Sequence, residues 1–468
     1  MSGATAIRRL TAIAAALAIA GPAVAQETPP PGGTPRNFDL PDTETFELGN
    51  GLEVTLAPYG ATPKTFVQLV VRTGNIDEGD DQVWLADLTG DLMQEGTATR
   101  SAEDLAREAA SMGGSLNVGV GLDQTSIGGD VLSEFAPELV GLIADVVQNP
   151  AFPAGELDRL KADRVRQITV ALQRPQSITL AEFRRRLYPD HPYGRIFPTP
   201  EMIQGYTVEQ IRAFWETHFG AARARLYVSG RFDADAVREA VETSFSGWAA
   251  GAEAEPSPPE PATGRRIVLI DRPGAPQSTI YLGLPIVDPS HEDYVAVQVM
   301  NALLGGSFAS RITSNIREDK GYTYSPTSTV SSRYRDAYWA EIADVTTDVT
   351  GAALREIFRE IERLQTEPPA EEELQGIQNY LAGIFVLQNS TRQGIVGQLA
   401  FLDLHGLPDE YLTGYVTRVH AVTRTEVQAI AAEYLDTDEM LLVVTGDASV
   451  IREQLAEFGE VEEVSPEE

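Results

Sequence analysis

The chain has no cysteine and only five histidines in 468 residues. The first absence excludes disulfides, thiol catalysis, cysteine-ligated metal and lipid attachment at a cysteine. The second leaves little imidazole for a metal centre. The nearest two, His405 and His420, stand 15 residues apart, so no two histidines share a helical turn. Long apolar runs are missing as well: Leu10 to Ala20 falls short of the roughly 20 residues that span a bilayer, and no later stretch has a membrane-spanning pattern. Positive charge is thin, with 36 Lys and Arg against 69 Asp and Glu, a net charge of −33. That balance argues against nucleic acid and anionic membrane as partners and fits a solubilising acidic surface.

What is present is ordinary globular composition, 43% hydrophobic and 22% charged, in a chain long enough for several units. Arg8-Arg9, the short apolar run and Ala23-Val24-Ala25 have the order of a signal peptide cut after Ala25, against the alternative of an N-terminal anchor. The expectation is export, with the periplasm as destination and no membrane span after cleavage. Residues 26–45 read as a flexible lead-in. Ala250 to Gly264, AGAEAEPSPPEPATG, is too rich in Pro and Glu to pack a core, so 250–265 is expected to link two halves, 46–249 and 266–463.

The halves repeat one order of elements. Residues 139–165 and 354–381 each give an amphipathic helix, a Pro-containing break and an acidic helix start. Residues 206–241 and 422–455 each give a Thr-capped helix, a β-rich run ending in Gly and another helix. Such repetition signals a duplicated fold. Asn50-Gly51 between alternating strands predicts a tight hairpin. Ser101 and Asp104 begin a capped helix that Gly113-Gly114 ends, and strands follow over Ser115 to Ile127. The predicted class is α+β: two homologous halves, each a mostly antiparallel sheet with helices packed on one face.

The two halves, the opening L-x-N-G-L-x-V and the strand–helix order resemble the insulinase/pitrilysin family, the inverzincins. In that family H-x-x-E-H on a first-half helix, with a Glu downstream, holds Zn²⁺ and supplies the general base. The matching segment here is Trp84 to Thr97, with Asp87, Gly90 and Asp91 at the three motif positions and Gln167 near the position of the distal ligand. No zinc or other cofactor is therefore expected in this chain, and Asp87 and Asp91 read as two solvated helix acids. Gly113 to Asn117 resembles the start of the family's peptide-binding edge strand and reads here as plain sheet.

The second half keeps more of the pattern. Gly305-Gly306-Ser307-Phe308-Ala309-Ser310-Arg311 and then Arg317 to Ser325 are similar to the family's G-G-x-x-S-R and L-R-E-x-x-G-x-x-Y-S. The resemblance implies that Arg317 and Tyr324, seven apart, contact a peptide substrate beside a zinc site. Gly305-Gly306 reads either as the C-cap of a helix over Tyr294 to Leu304 or as a loop brushing the peptide. A chain without the zinc half but with the Arg/Tyr half resembles the family's two-chain members, such as the mitochondrial processing peptidase. The expected function is a non-catalytic, substrate-clamping subunit paired with an H-x-x-E-H peptidase that holds the zinc, acting on unfolded peptides. A scaffold with no catalytic role and a self-sufficient metallopeptidase are the alternatives.

Overall fold

The Asn50-Gly51 hairpin forms. In the computed structural model, which describes residues 37–254 and 256–464, β1 (Glu44–Glu47) runs antiparallel to β2 (Glu53–Pro58). Gly51 turns between them at φ +89°, in the left-handed region that suits glycine. The Asn50 amide donates to the carbonyls of Phe245 and Trp248 at 2.8 and 2.9 Å. The expected signal peptide lies outside the described residues.

Four more strands complete the first sheet: β3 (Lys64–Val71), β4 (Asn117–Val120), β5 (Thr125–Leu132) and β6 (Ala224–Gly230), in the order β1-β2-β6-β3-β5-β4. The second sheet comprises β7 (Arg266–Asp271), β8 (Gln277–Ile286), β9 (Thr327–Arg333), β10 (Asp336–Thr346), β11 (Leu441–Gly446) and β12 (Val461–Val464), in the order β12-β7-β11-β8-β10-β9. Position for position the sheets match. β2 pairs parallel with β6 as β7 does with β11, and the strands beyond them pair antiparallel in both. Only the outer strand differs: β1 precedes β2 and is antiparallel to it, whereas β12 comes from the chain's end and lies parallel to β7. The class is α+β, as expected, with two mixed sheets.

Helix starts follow the predicted chemistry. Ser101, Thr207 and Thr423 each accept from a backbone N–H three residues on, with Asp104, Gln210 and Glu426 closing the capping boxes. Amphipathic helices such as Ala136–Gln148 and Thr350–Thr366 bury their apolar stripes against one face of each sheet.

The opposite face carries an exchange that the sequence does not announce. The helix Pro175–Leu187, from the first half, lays Phe183 and Leu187 on Val268, Ile270, Tyr281 and Val443 of the second sheet. The helix Arg392–His405, from the second half, lays Ile395, Val396 and Leu399 on Val70 and Tyr227 of the first. Each fully buried side chain of this size is worth about 1.5–3 kcal/mol. The two halves are therefore joined by core packing as well as by chain. The described residues of the Pro-rich stretch between them have no regular structure; Ala262 N–H bonds the Leu187 carbonyl at 2.8 Å. No helix among the described residues is long and apolar enough to cross a membrane.

Candidate functional site

The helix Leu85–Met93 presents the first group of residues. Leu85, Ala86, Leu88, Thr89, Gly90, Leu92 and Met93 are buried, so the one face left carries Asp87 and Asp91 one turn apart. Glu78 caps this helix from below its start, accepting from Trp84 N–H at 3.1 Å and Ala86 N–H at 2.9 Å. Burial pushes the Glu78 carboxyl up to about 8, against those donors and Asn75, which favour its charged form.

Asp87 and Asp91 are not solvated helix acids. They face the helix Ala154–Ala171, and Arg164 of that helix occupies the space between them. Its Nε and Nη2 donate to the two oxygens of Asp91 at 2.7 and 2.8 Å, and Nη1 reaches Asp87 at 3.1 Å and Gln167 at 3.4 Å. Asn75 donates to the other Asp87 oxygen at 2.8 Å. The guanidinium also lies 5.5 Å from the Trp84 ring centroid. Burial raises the Asp87 carboxyl while Arg164 opposes it; against burial, the two carboxylates hold the Arg164 cation above its ordinary value.

These residues do not fit a zinc ion. The position between the carboxylates is filled by a cation already bonded to both, and position 167 offers an amide. Gly90 has no room for a base: a Cβ there would lie 2.6 Å from Val120 Cγ2 on β4. Among the described residues no group of three or more His, Cys, Asp or Glu is placed to hold a metal. The edge strand is engaged as well. The Gln94 side chain meets the backbone of Val118, accepting from its N–H at 3.3 Å and donating to its carbonyl at 3.5 Å. Val118 therefore does not offer these two groups free to an added strand.

In the second half, Arg317 and Tyr324 come together. Arg317 is on a π-helical segment, Thr313–Asp319, and Gly321 at φ +65° turns the chain so that Tyr324 comes back beside it. The guanidinium carbon stands 5.1 Å from the Tyr324 ring centroid and 4.4 Å from that of Phe308. Among the described residues its one ion pair is to Glu318, at 3.3 Å. Tyr324 is 79% exposed and Phe308 71% exposed, unusual for large rings, and both lie against the Arg317 guanidinium. With Tyr380, Gly305, Gly306 and Thr327 they line an open cavity of about 370 Å³. Arg311 anchors this region by a two-pronged bond to Glu373, at 2.7 and 2.9 Å.

Of the two readings of Gly305-Gly306, the helix C-cap is corrected here. The helix Tyr294–Asn301 ends before Leu304 and continues as a π-turn, Ala302–Gly306, so Gly305-Gly306 lies inside the turn and does not cap an α-helix. Sequence reasoning also missed Arg164 and Phe308. The signal for Arg164 was a basic residue one turn before position 167, on the same helix face.

Comparison with known proteins identifies the family and the fold. Residues 55–201 match the family described as insulinase (peptidase family M16), and residues 205–381 match the peptidase M16 inactive domain. The chain belongs to the insulinase, or M16, family. It is 25% identical to an uncharacterised zinc protease of Rickettsia bellii over 70% of this chain and 79% of that one. It is 23% identical to one of Bacillus subtilis, over 86% of this chain and 97% of that one. Among solved structures, the peptidase M16 inactive domain from Pseudomonas fluorescens superposes with a TM-score of 0.78 at 24% identity, covering 87% of this chain and 98% of that one. A protease from Helicobacter pylori gives 0.81 at 19%, covering 87% of this chain and all of the other. The M16 fold thus spans both halves, and the departures at 87, 90 and 91 lie within the matched segment.

Proposed function

We propose that the chain is the non-catalytic, peptide-clamping subunit of a two-chain zinc metalloendopeptidase, exported to the periplasm, whose H-x-x-E-H partner holds the zinc. The observation that carries this reading is the contrast between the two halves. In the first, Arg164 sits where a metal would have to sit. In the second, Arg317 and Tyr324 line an open cavity.

Peptide hydrolysis builds negative charge on the scissile carbonyl oxygen. A guanidinium and a phenol beside it position the peptide and offset that charge. Here they would act across an interface on a bond attacked by water on the partner's metal. The exposed Phe308 and Tyr324 rings give the rest of an unfolded chain an apolar surface to lie on.

Co-expression with an H-x-x-E-H chain tests the proposal. Peptide cleavage should require both chains, and Arg317→Ala should lower turnover about 10²–10³-fold with the complex intact by gel filtration. Full activity in that variant would remove the assigned role. Chelator-sensitive cleavage by this chain alone, lost in Asp91→Ala, would replace the proposal with a self-sufficient peptidase.

A further inference from the structure

Under the floor of the Arg317–Tyr324 cavity lies an acid that the peptide clamp does not account for. Glu341 on β10 has no exposed surface, and among the described residues neither carboxyl oxygen has a hydrogen-bond partner. Strand alternation sets it on the face of Trp339, Ala343 and Val345, which pack under the helices of the second half. On the neighbouring strands it stands opposite Ser328 of β9 and Leu282 of β8.

Its position relative to the cavity is set by a glycine. A Cβ on Gly305 would lie 2.6 Å from Glu341 Oε2 and 2.6 Å from Ser328 Oγ. Gly305 itself lines the cavity, so one backbone segment separates the carboxyl from the space where a peptide would lie. The same corner is otherwise bonded: Ser328 Oγ donates to Asn301 Oδ1 at 2.7 Å, and Trp339 Nε1 donates to that oxygen at 3.0 Å. Asn301 is the last α-helical residue before the π-turn Ala302–Gly306.

A leucine or valine here would bury no polar atom, whereas a buried polar group without partners costs stability. Burial alone drives the Glu341 carboxyl well above the ordinary glutamate range. The residues facing it, Leu282, Asn301, Gly305 and Ser328, carry no charge. Glu356 and Glu360, on the helix Thr350–Thr366 that packs nearby, are tied to Asn315.

We infer that Glu341 is a positioning residue for the peptide cavity: its carboxyl supports the π-turn at Gly305 from below and so sets where Phe308 and Arg317 meet the peptide. The inference rests on the peptide-clamp reading. It makes opposite demands on stability and binding, which a purely structural role does not.

The test uses the full chain, with binding of a fluorescein-labelled casein peptide read by anisotropy and folding read by thermal melting. Glu341→Leu should melt no lower than the parent yet bind the peptide about tenfold more weakly, because the turn above it shifts. Glu341→Gln, which keeps the size and shape of the side chain, should bind within about twofold of the parent. Arg317→Ala runs alongside and should also lose binding. Parent-like binding by Glu341→Leu, with Arg317→Ala impaired, overturns the inference and leaves the cavity assignment standing. Parent-like binding by Arg317→Ala overturns both. Should Glu341→Leu fail to fold, Glu341→Ala gives the same comparison.

Discussion

Replacing Arg164 with alanine is the most direct test of how the first half is built. Arg164, Asp87 and Asp91 are 16%, 18% and 25% exposed at their side chains, so all three charges are largely withdrawn from water. Removing the cation leaves two carboxylates one helical turn apart with no counter-charge between them. Breaking a buried pair by deleting one partner costs about 3–5 kcal/mol, and the residual exposure places this site near the lower end. Loss of the contact with Trp84 adds about 0.5–1 kcal/mol. A deficit of about 3–4 kcal/mol corresponds to a fall of roughly 6–16 °C in Tm if a half of some 200 residues melts as a unit. The assay is calorimetric melting at neutral pH and low salt. The deficit should shrink as the pH falls and the carboxylates protonate, and Asp87→Asn with Asp91→Asn should restore most of it. An Arg164→Ala protein melting within about 1 °C of the parent refutes the reasoning. So does a parent protein whose Tm rises with one equivalent of Zn²⁺, since only an ion bound to the folded state stabilises in that way.

Gly90→Ala should destabilise by about 1–2 kcal/mol in urea unfolding, because the clash with Val120 outweighs the usual helix gain from alanine; Val120→Ala should relieve it. Glu78→Gln should flatten the pH dependence of stability. With its carboxyl raised from 4.5 to about 8, folded Glu78 keeps a proton that the unfolded chain gives up. Its contribution is complete below pH 4.5 and is lost as the pH rises to about 8. The urea midpoint of the parent, relative to that of the variant, should fall across that window, and parallel curves would contradict the assignment.

The Arg317–Tyr324 pair was legible because its specification is local: seven residues with one glycine turn between them. The duplicated α+β order was legible for the same reason, since caps and turns such as Ser101 and Asn50-Gly51 act over a few residues. Arg164 was not, because its partners lie 73 and 77 positions away and only the packing of two helices brings them together. Helix exchange between the sheets was hidden likewise: Phe183 reads as an ordinary apolar helix residue until the sheet it covers is known. The π-turn at Gly305-Gly306 was not legible because two glycines after a helix usually end it, and a C-cap and a loop stayed equally open. Here the packed-in Glu341 and Ser328 below leave no room for a side chain at 305, which is a tertiary reason for glycine and not a conformational one.

A catalytic metal ion does two separable things: it ties the elements that ligate it, and it activates a water. On the proposed reading Arg164 keeps the first duty and abandons the second. Its fixed donors bind two carboxylates of one helix from another helix, as a bridging cation would, so the first half retains its packing. A guanidinium has no open coordination position and does not lower the pKa of a bound water, so no nucleophile arises there. The second half shows the reverse trade. Phe308 and Tyr324 stay in solvent and, among the described residues, Glu341 stays buried without a partner, arrangements that cost stability. Stability is kept where chemistry has been given up and is conceded around the cavity, which is the distribution expected if binding a peptide is the function that remains.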